Sequence, residues 1–177
     1  MKKEIIDVGG IKVPIGTHEE KKIIIGADHR GFEYKEKIKK FLLDKSYEVV
    51  DVGTNSSERC DYPEISHKIG KGVNENPYNT VGIGICGSGI GIGISASKYF
   101  LVYSARCLNL KDAESSRKHN NANFLAIGAD FTTLEKTLEI IHVWLTTPFY
   151  SDLENDEAYL RRYVQTVKLE EKINLRL

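Results

Sequence analysis

The sequence predicts an α/β fold in three layers, with a five-stranded, mainly parallel sheet between helices in a Rossmann-like, doubly wound arrangement. Short apolar, β-branched runs alternate along the chain with segments of helical period. Strands that alternate with helices form βαβ units, and βαβ units build parallel sheets covered on both faces. The length of 177 residues suits one such domain.

The first elements follow from hydrophobic spacing and one proline. Lys22–Gly26 holds three consecutive isoleucines, as a buried strand does. Phe32–Lys45 has apolar residues at i, i+4, i+7 and i+8, the pattern of an amphipathic helix. Glu48–Val52 is the second predicted strand. Pro63 begins the next helix, because proline fits a first helical turn.

The middle of the chain continues this alternation with three strands and two helices. Thr80–Cys86 is a strand, and Ile90–Lys98 forms a helix despite its glycines. Phe100–Ala105 is predicted as the fourth strand, followed by a polar helix over Lys111–Asn120. Asn123–Ile127 is the fifth strand.

Two helices and an arm complete the predicted organisation. Thr132 and Glu135 have capping-box spacing before an apolar stripe, on which we expect Trp144 to lie in the core. A last helix is predicted from Asp152 to Lys172. We therefore expect an N-terminal extension over 1–21, a domain over 22–150 and a helix over 151–177 that completes the domain or a dimer. Within the extension, Ile5–Val8 and Ile11–Ile15 form either a small hairpin or a disordered segment.

Composition excludes several classes of protein. The chain has 25 Lys+Arg and 25 Asp+Glu, and this zero net charge argues against coating nucleic acid or an anionic membrane. No apolar run approaches the roughly 18 residues of a membrane span, and no signal peptide is visible. Three cysteines without C-x-x-C spacing indicate neither a disulfide framework nor a zinc site. We expect reduced thiols in a cytoplasmic protein.

Ligands of open α/β sheets bind beyond the carboxyl ends of the strands. The segment that follows the third strand is rich in glycine, since six of the 15 glycines lie between Gly82 and Gly93. Its centre is Cys86-Gly87-Ser88-Gly89-Ile90-Gly91, a thiol at a strand tip before a helix. Backbone N–H groups there could hold an oxyanion, and their field favours a thiolate.

Other interpretations of these residues remain open. Gly82–Gly87 matches G-x-G-x-x-G, but its first glycines lie inside the strand, which disfavours dinucleotide binding. No G-K-[ST] follows, so the loop is not a P-loop. Cys86 alone could be a small buried hydrophobe. Asp28 and His29 follow the first strand and could be loop residues, while His119 could simply stabilise a helix C-terminus.

Five motifs together resemble the ribose-5-phosphate isomerase B family, which includes the subunits of galactose-6-phosphate isomerase. They occur in order over roughly residues 22–150. The motifs are Gly26-Ala27-Asp28-His29-Arg30-Gly31-Phe32, Asp51-Val52-Gly53-Thr54, Asp61-Tyr62-Pro63, Ile85-Cys86-Gly87-Ser88-Gly89-Ile90-Gly91 and Ser116-Arg117-Lys118-His119-Asn120.

The resemblance implies isomerisation of ribose 5-phosphate to ribulose 5-phosphate without metal or organic cofactor. By the family pattern, Cys86 is the base and His119 opens the sugar ring. The N–H groups of Gly87, Ser88, Gly89, Ile90 and Gly91 hold the enediolate oxygens. Asp28, Tyr62 and Asn120 contact sugar hydroxyls or the carbonyl end. His29 and Arg162 bind the phosphate. The resemblance also implies a homodimer or homotetramer with a shared active site.

The chain departs from the family at the phosphate subsite. Asp130 stands where an Arg commonly follows the fifth strand, and Ala158 stands where the last helix commonly has the first of two Arg. Two lost contacts to a charged phosphate would cost on the order of 3–6 kcal/mol. We therefore expect Arg161, Arg117, Arg30 or a Lys to substitute. The alternatives are isomerisation of another sugar phosphate, such as galactose or allose 6-phosphate, or a non-catalytic sugar-phosphate-binding relative.

Overall fold

The structure is a computed structural model that describes residues 5–149 and 158–174. Two antiparallel strands come first, and a five-stranded sheet with helices follows. The strands are β1 (Ile5–Val8), β2 (Ile11–Pro14), β3 (Lys22–Ala27), β4 (Val49–Asp51), β5 (Thr80–Cys86), β6 (Ser104–Arg106) and β7 (Phe124–Gly128). The helices are α1 (Phe32–Asp44), α2 (Tyr62–Glu75), α3 (Ile90–Ala96), α4 (Leu110–Asn120), α5 (Leu134–Thr146) and α6 (Ala158–Asn174).

The large sheet has the strand order β4-β3-β5-β7-β6, and its four pairings are all parallel. Helices α1 and α5 pack on one face, over a core that includes Ile23, Ile83 and Trp144. Helices α2 and α3 cover the other face, around Phe124 and Ile92. The predicted doubly wound α/β fold is confirmed, and Trp144 is buried as expected.

Several predicted boundaries were wrong, among them those of the fourth strand, the cap of α5 and the end of α3. The fourth strand is only Ser104–Arg106 rather than Phe100–Ala105. Its neighbour β7 begins opposite Ser104, so residues 100–103 have no ladder partner there. The Asn123 side chain instead bonds the Leu101 carbonyl and the Tyr103 N–H. The cap of α5 is Thr133 rather than Thr132, because the Thr133 hydroxyl accepts from the Lys136 N–H. Helix α3 ends at Ala96, before Lys98.

The N-terminal segment packs at the amino edge of the sheet. Strands β1 and β2 form the hairpin that was one of the two expectations, and Val13 contacts an apolar cluster with Phe149 and Val164. The predicted start of the last helix, Asp152, lies outside the described residues. Helix α6 is first described at Ala158. Across the described part of the chain, no helix is both long and apolar enough to cross a membrane.

Candidate active site

The candidate site lies where the direction of winding changes. Strand β3 pairs with β4 on one side and with β5 on the other, so a crevice opens beyond their carboxyl ends. Asp28 follows β3 directly, and Cys86 ends β5. The Asp28 N–H donates to the Ile85 carbonyl over 3.1 Å, which joins the two strand tips.

The Cys86 thiol is buried at 4% exposure and receives a backbone hydrogen bond. The Gly89 N–H donates to Cys86 Sγ over 3.1 Å. Gly89 has φ of 77°, in the left-handed region. A Cβ at Gly89 would also lie 2.9 Å from the Gly128 nitrogen. Glycine is therefore required at this position on both grounds.

The rest of the loop is tied to its surroundings. The Gly87 carbonyl accepts from the Asp130 N–H over 3.0 Å. The Ser88 hydroxyl accepts from the Ile90 N–H over 3.2 Å. The Tyr62 ring lies against Gly91, since a Cβ at that glycine would be 2.6 Å from the ring. The structure thus brings the loop and Tyr62 together.

Asp28 and His29 are both held by backbone groups. Asp28 Oδ1 accepts from the N–H groups of Arg30 and Gly31, at 3.0 and 3.1 Å, and so shapes the turn into α1. His29 Nδ1 lies 3.0 Å from the Cys60 carbonyl, which connects this turn to the segment before α2. Both residues therefore lie at the carboxyl edge of the sheet.

Two arginines contact the loop. Arg30 Nη2 forms an ion pair with Asp130 Oδ2 at 2.6 Å, and both side chains lie within 3 Å of where a Gly87 Cβ would be. Arg106 Nε donates to the Ser88 carbonyl over 2.6 Å. Sequence reasoning missed Arg106. Its position at the end of the fourth strand, at the ligand-binding edge, was the available signal.

His119, Asn120 and Arg162 lie elsewhere. The His119 ring stacks on Tyr159 with centroids 4.3 Å apart, and the Arg162 guanidinium lies 5.7 Å from the same ring. Helix α4 returns to the amino edge, where Phe124 begins β7 opposite Gly82. From Gly82 to Cys86, β5 rises about 13 Å. A single chain therefore holds the predicted site residues as two separate groups.

Arg117 was wrong as a candidate for the phosphate subsite, because it is fully buried. Its guanidinium donates to the Asn121 side chain and to the carbonyls of Gly16, Ala122 and Thr147. Burial lowers the pKa of this guanidinium. Arg117 is thus an internal anchor between α4, the N-terminal segment and the end of α5.

Within the described ranges, no three His, Cys, Asp or Glu side chains group as metal ligands.

Comparison with known proteins identifies the family. The sequence model of the ribose/galactose isomerase family matches residues 23–159. Ribose-5-phosphate isomerase B of Escherichia coli is 40% identical over 125 residues, which are 71% of this chain and 83% of that protein.

Two solved structures extend the likeness to the fold. Ribose-5-phosphate isomerase B of Clostridium thermocellum superposes with a TM-score of 0.79 at 37% identity, covering 86% of this chain and 99% of that one. The Mycoplasma genitalium enzyme with bound ribulose-5-phosphate has a TM-score of 0.80 at 30% identity, covering 87% and 99%. The chain therefore belongs to the ribose/galactose isomerase family.

Proposed function

We propose that the chain is an aldose–ketose isomerase that interconverts ribose 5-phosphate and ribulose 5-phosphate. The observation that carries this proposal is the hydrogen bond from the Gly89 N–H to Cys86 Sγ at the carboxyl edge of the sheet. Relatives named ribose-5-phosphate isomerase B, one of them solved with ribulose-5-phosphate, support the choice of substrate.

In the proposed reaction Cys86 is the base. Its thiolate removes the proton from C2 of the open-chain aldose, and the electron pair moves into an enediolate. The resulting thiol returns the proton to C1, and the hydroxyl proton of O2 passes to O1, which yields the ketose. N–H groups of Gly87–Gly91 stabilise the enediolate oxygens, where one such donor is typically worth about 3–4 kcal/mol. Positioned proton transfer adds about 10²–10⁴-fold.

The remaining side chains hold the sugar phosphate. Asp28 and Tyr62 hydrogen-bond sugar hydroxyls, and Asn120 lies near the carbonyl end. His29 and Arg162 bind the phosphate. We add Arg30 to this group, because its side chain is more than half exposed beside the loop and belongs to the turn that also holds His29. These assignments stand on position and chemistry.

We propose that His119, Asn120 and Arg162 reach the Cys86 loop of a second copy of the chain. This accounts for the separation of the two groups of residues within one chain. Ile90 and Ile94 expose apolar side chains one helical turn apart on α3, next to the loop, and a second subunit would cover them. The assembly would be a homodimer, or a homotetramer built from such dimers, with two shared sites in each pair.

On this proposal residues 22–150 are the isomerase domain. Residues 151–177, in which α6 is described over Ala158–Asn174, complete this domain or the dimer, and 1–21 are an extension. The free thiols of Cys60, Cys86 and Cys107 suit a reducing compartment, so we propose the cytoplasm as its location.

A second candidate is isomerisation of another sugar phosphate, such as galactose or allose 6-phosphate. Asp130 is the reason to retain this second candidate, because a carboxylate at this edge changes how an anionic substrate is anchored. The deciding experiment assays the purified protein with ribose 5-phosphate and both hexose phosphates in parallel. We expect the highest kcat/KM with ribose 5-phosphate. Higher kcat/KM with a hexose phosphate would select the second candidate, and no conversion would contradict both.

The variant Cys86→Ala separates an enzyme from a non-catalytic binding relative. We expect it to lose turnover while binding ribose 5-phosphate about as well as the wild type by calorimetry, because the thiol acts on a proton rather than on the phosphate. Cys107→Ala, a buried cysteine on the other face of the sheet, is the matched control. A Cys86→Ala variant with near-full activity would show that another group is the base.

The role of His119 is tested by comparing cyclic and acyclic substrates. We expect His119→Asn to reduce turnover of ribose 5-phosphate much more than that of a tetrose phosphate, which has no furanose ring to open. Equal losses on both substrates would remove the ring-opening role.

A further inference from the structure

The peptide group between Ser88 and Gly89 is held at both of its polar atoms. Its carbonyl accepts a hydrogen bond from Arg106 Nε over 2.6 Å. Its N–H donates to Cys86 Sγ over 3.1 Å. Because C=O and N–H point in opposite directions in a trans peptide, the arginine and the thiol lie on opposite sides of one planar group.

Arg106 is itself well placed to hold this peptide. It ends β6, where it pairs with Ala126 of β7. Two residues earlier, Ser104 lies against Gly93 of α3, so Arg106 faces the same side of the sheet. The guanidinium packs on the Phe131 ring with its central carbon 4.9 Å from the ring centre. These contacts restrict the side chain to the orientation that meets the loop.

The peptide needs such a partner because glycine follows it. Gly89 has φ of 77°, and glycine adopts positive and negative φ about equally readily. The Ser88–Gly89 peptide could therefore turn its N–H away from the sulfur without a side-chain clash. A charged donor on the carbonyl opposes that rotation, and it also polarises the amide so that the N–H becomes a stronger donor.

We propose that Arg106 is a positioning residue that orients and polarises the Ser88–Gly89 peptide and thereby favours the thiolate of Cys86. Its catalytic consequence rests on the proposed isomerase function. Its effect on the thiol does not, because thiol reactivity can be measured without any substrate. Asp28, Tyr62 and the Arg30–Asp130 pair also surround the loop, and they stay unchanged in the variants below.

The test measures the rate at which iodoacetamide alkylates Cys86 between pH 6 and pH 10, with the modified peptide identified by mass spectrometry. We expect Arg106→Leu to move the midpoint of this profile upward by about one pH unit, so that alkylation at neutral pH slows about tenfold. This is less than the roughly 100-fold effect of removing a direct oxyanion donor. In the isomerase assay kcat should fall by about the same factor, with KM changed less than about twofold.

Three further variants make the result specific. Arg106→Lys keeps the charge and should retain a profile closer to the wild type than Arg106→Gln, which keeps only a neutral donor. The comparison of Arg106→Lys with Arg106→Gln also tests the proposal if Arg106→Leu does not fold. Lys111→Gln removes a positive charge from the start of α4 at the same edge of the sheet and should leave the profile unchanged. Folded Arg106→Leu or Arg106→Gln with the wild-type alkylation profile would overturn the proposal. A shifted profile in a protein without isomerase activity would support the proposal and contradict the function instead.

Discussion

The guanidinium of Arg30 is ion-paired with the Asp130 carboxylate, with 2.6 Å between Nη2 and Oδ2, directly beside the backbone of Gly87. Both side chains are partly exposed, at 57% and 42%. An exposed pair of this kind contributes little to stability, about 0.2–1 kcal/mol. Under the proposed function its consequence is for binding, because Asp130 would compete with an anionic substrate for Arg30.

Asp130→Asn should therefore improve capture of the phosphate. The change removes a negative charge and releases Arg30, so we expect KM for ribose 5-phosphate to fall about threefold, by an amount typical of an exposed ion pair, with kcat little changed. Steady-state kinetics at low ionic strength provide the measurement, and the difference should shrink in high salt. Arg30→Gln is the matched variant and should raise KM. A higher KM in Asp130→Asn would mean that the pair holds Arg30 in its binding position.

The sequence was sufficient for the layers of the fold because buried parallel strands are continuous apolar runs. It was not sufficient for β6, whose extent depends on where β7 begins. The strand begins later than predicted because Asn123, outside the predicted stretch, satisfies the Leu101 and Tyr103 backbone through its side chain. The beginning of β6 is thus decided by a side chain about 20 positions later in the sequence. Local sequence patterns do not encode such a contact.

The candidate site, like the fold, could be predicted from the sequence only in part. The Cys86 loop and the Asp28 turn each come directly after a strand of the sheet, so their proximity was predictable. Arg117 shares a charged motif with His119, but its burial depends on Gly16 and Thr147, which come from distant parts of the chain. Arg106 also lies at a strand tip, but its contact with the Ser88 carbonyl depends on how the loop folds. Charge alone does not tell a buried anchor from a ligand-binding arginine.

Shared active sites predict that two inactive variants restore each other. In a mixed dimer of Cys86→Ala and His119→Asn, one site carries both changes and the other carries neither. Equal mixing makes half of the dimers mixed, so activity should recover to about a quarter of the wild type in a closed two-fold assembly. Co-expression with two affinity tags and an isomerase assay measures this. Two separately purified samples, assayed together without subunit exchange, are the control, and a co-expressed sample that stays inactive would contradict the shared site.

The buried ammonium of Lys35 makes Asp51 important for stability. Lys35 is fully buried, and its Nζ lies 2.5 Å from Asp51 Oδ2 and 2.6 Å from Glu36. Lys39 contacts the same Asp51 oxygen at 2.6 Å. Burial acts to raise the pKa of the Asp51 carboxyl, but the hydrogen bonds from Lys35 and Lys39 bring it below its ordinary value. The carboxylate form is thus the one that stabilises the fold.

Asp51→Asn should lower the free energy of unfolding by about 3 kcal/mol, because removing one partner leaves a buried charge poorly compensated. Urea unfolding at pH 7 measures the loss. The difference from the wild type should shrink as the pH falls below the ordinary value of 3.8 through the lowered pKa, where the native carboxylate is protonated. Asp44→Asn breaks the exposed pair with Lys40 and should cost at most about 0.5 kcal/mol. Equal losses in the two variants would contradict the importance of the buried pair.

His18 joins the N-terminal segment to the core. Its ring contacts Trp144 with centroids 4.7 Å apart, and its Nε2 lies 3.1 Å from the Ala122 carbonyl. The side chain is fully buried. Burial, together with the positive charges of Arg117 and Lys21, holds the pKa of this imidazole well below its ordinary value. The folded protein therefore keeps His18 neutral at a pH where an unfolded chain would protonate it.

Stability should accordingly decrease as the pH falls below about 6.5, because the unfolded state then binds a proton that the native state does not. The slope contributed by one such group is at most about 1.4 kcal/mol per pH unit. Urea unfolding at pH 7.5, 6.5 and 5.5 measures it, and His18→Gln should lower the overall stability but remove this part of the slope. His142→Gln, on the exposed side of α5, is the matched control. An unchanged slope in His18→Gln would show that His18 binds its proton in the folded protein despite the positive charges of Arg117 and Lys21.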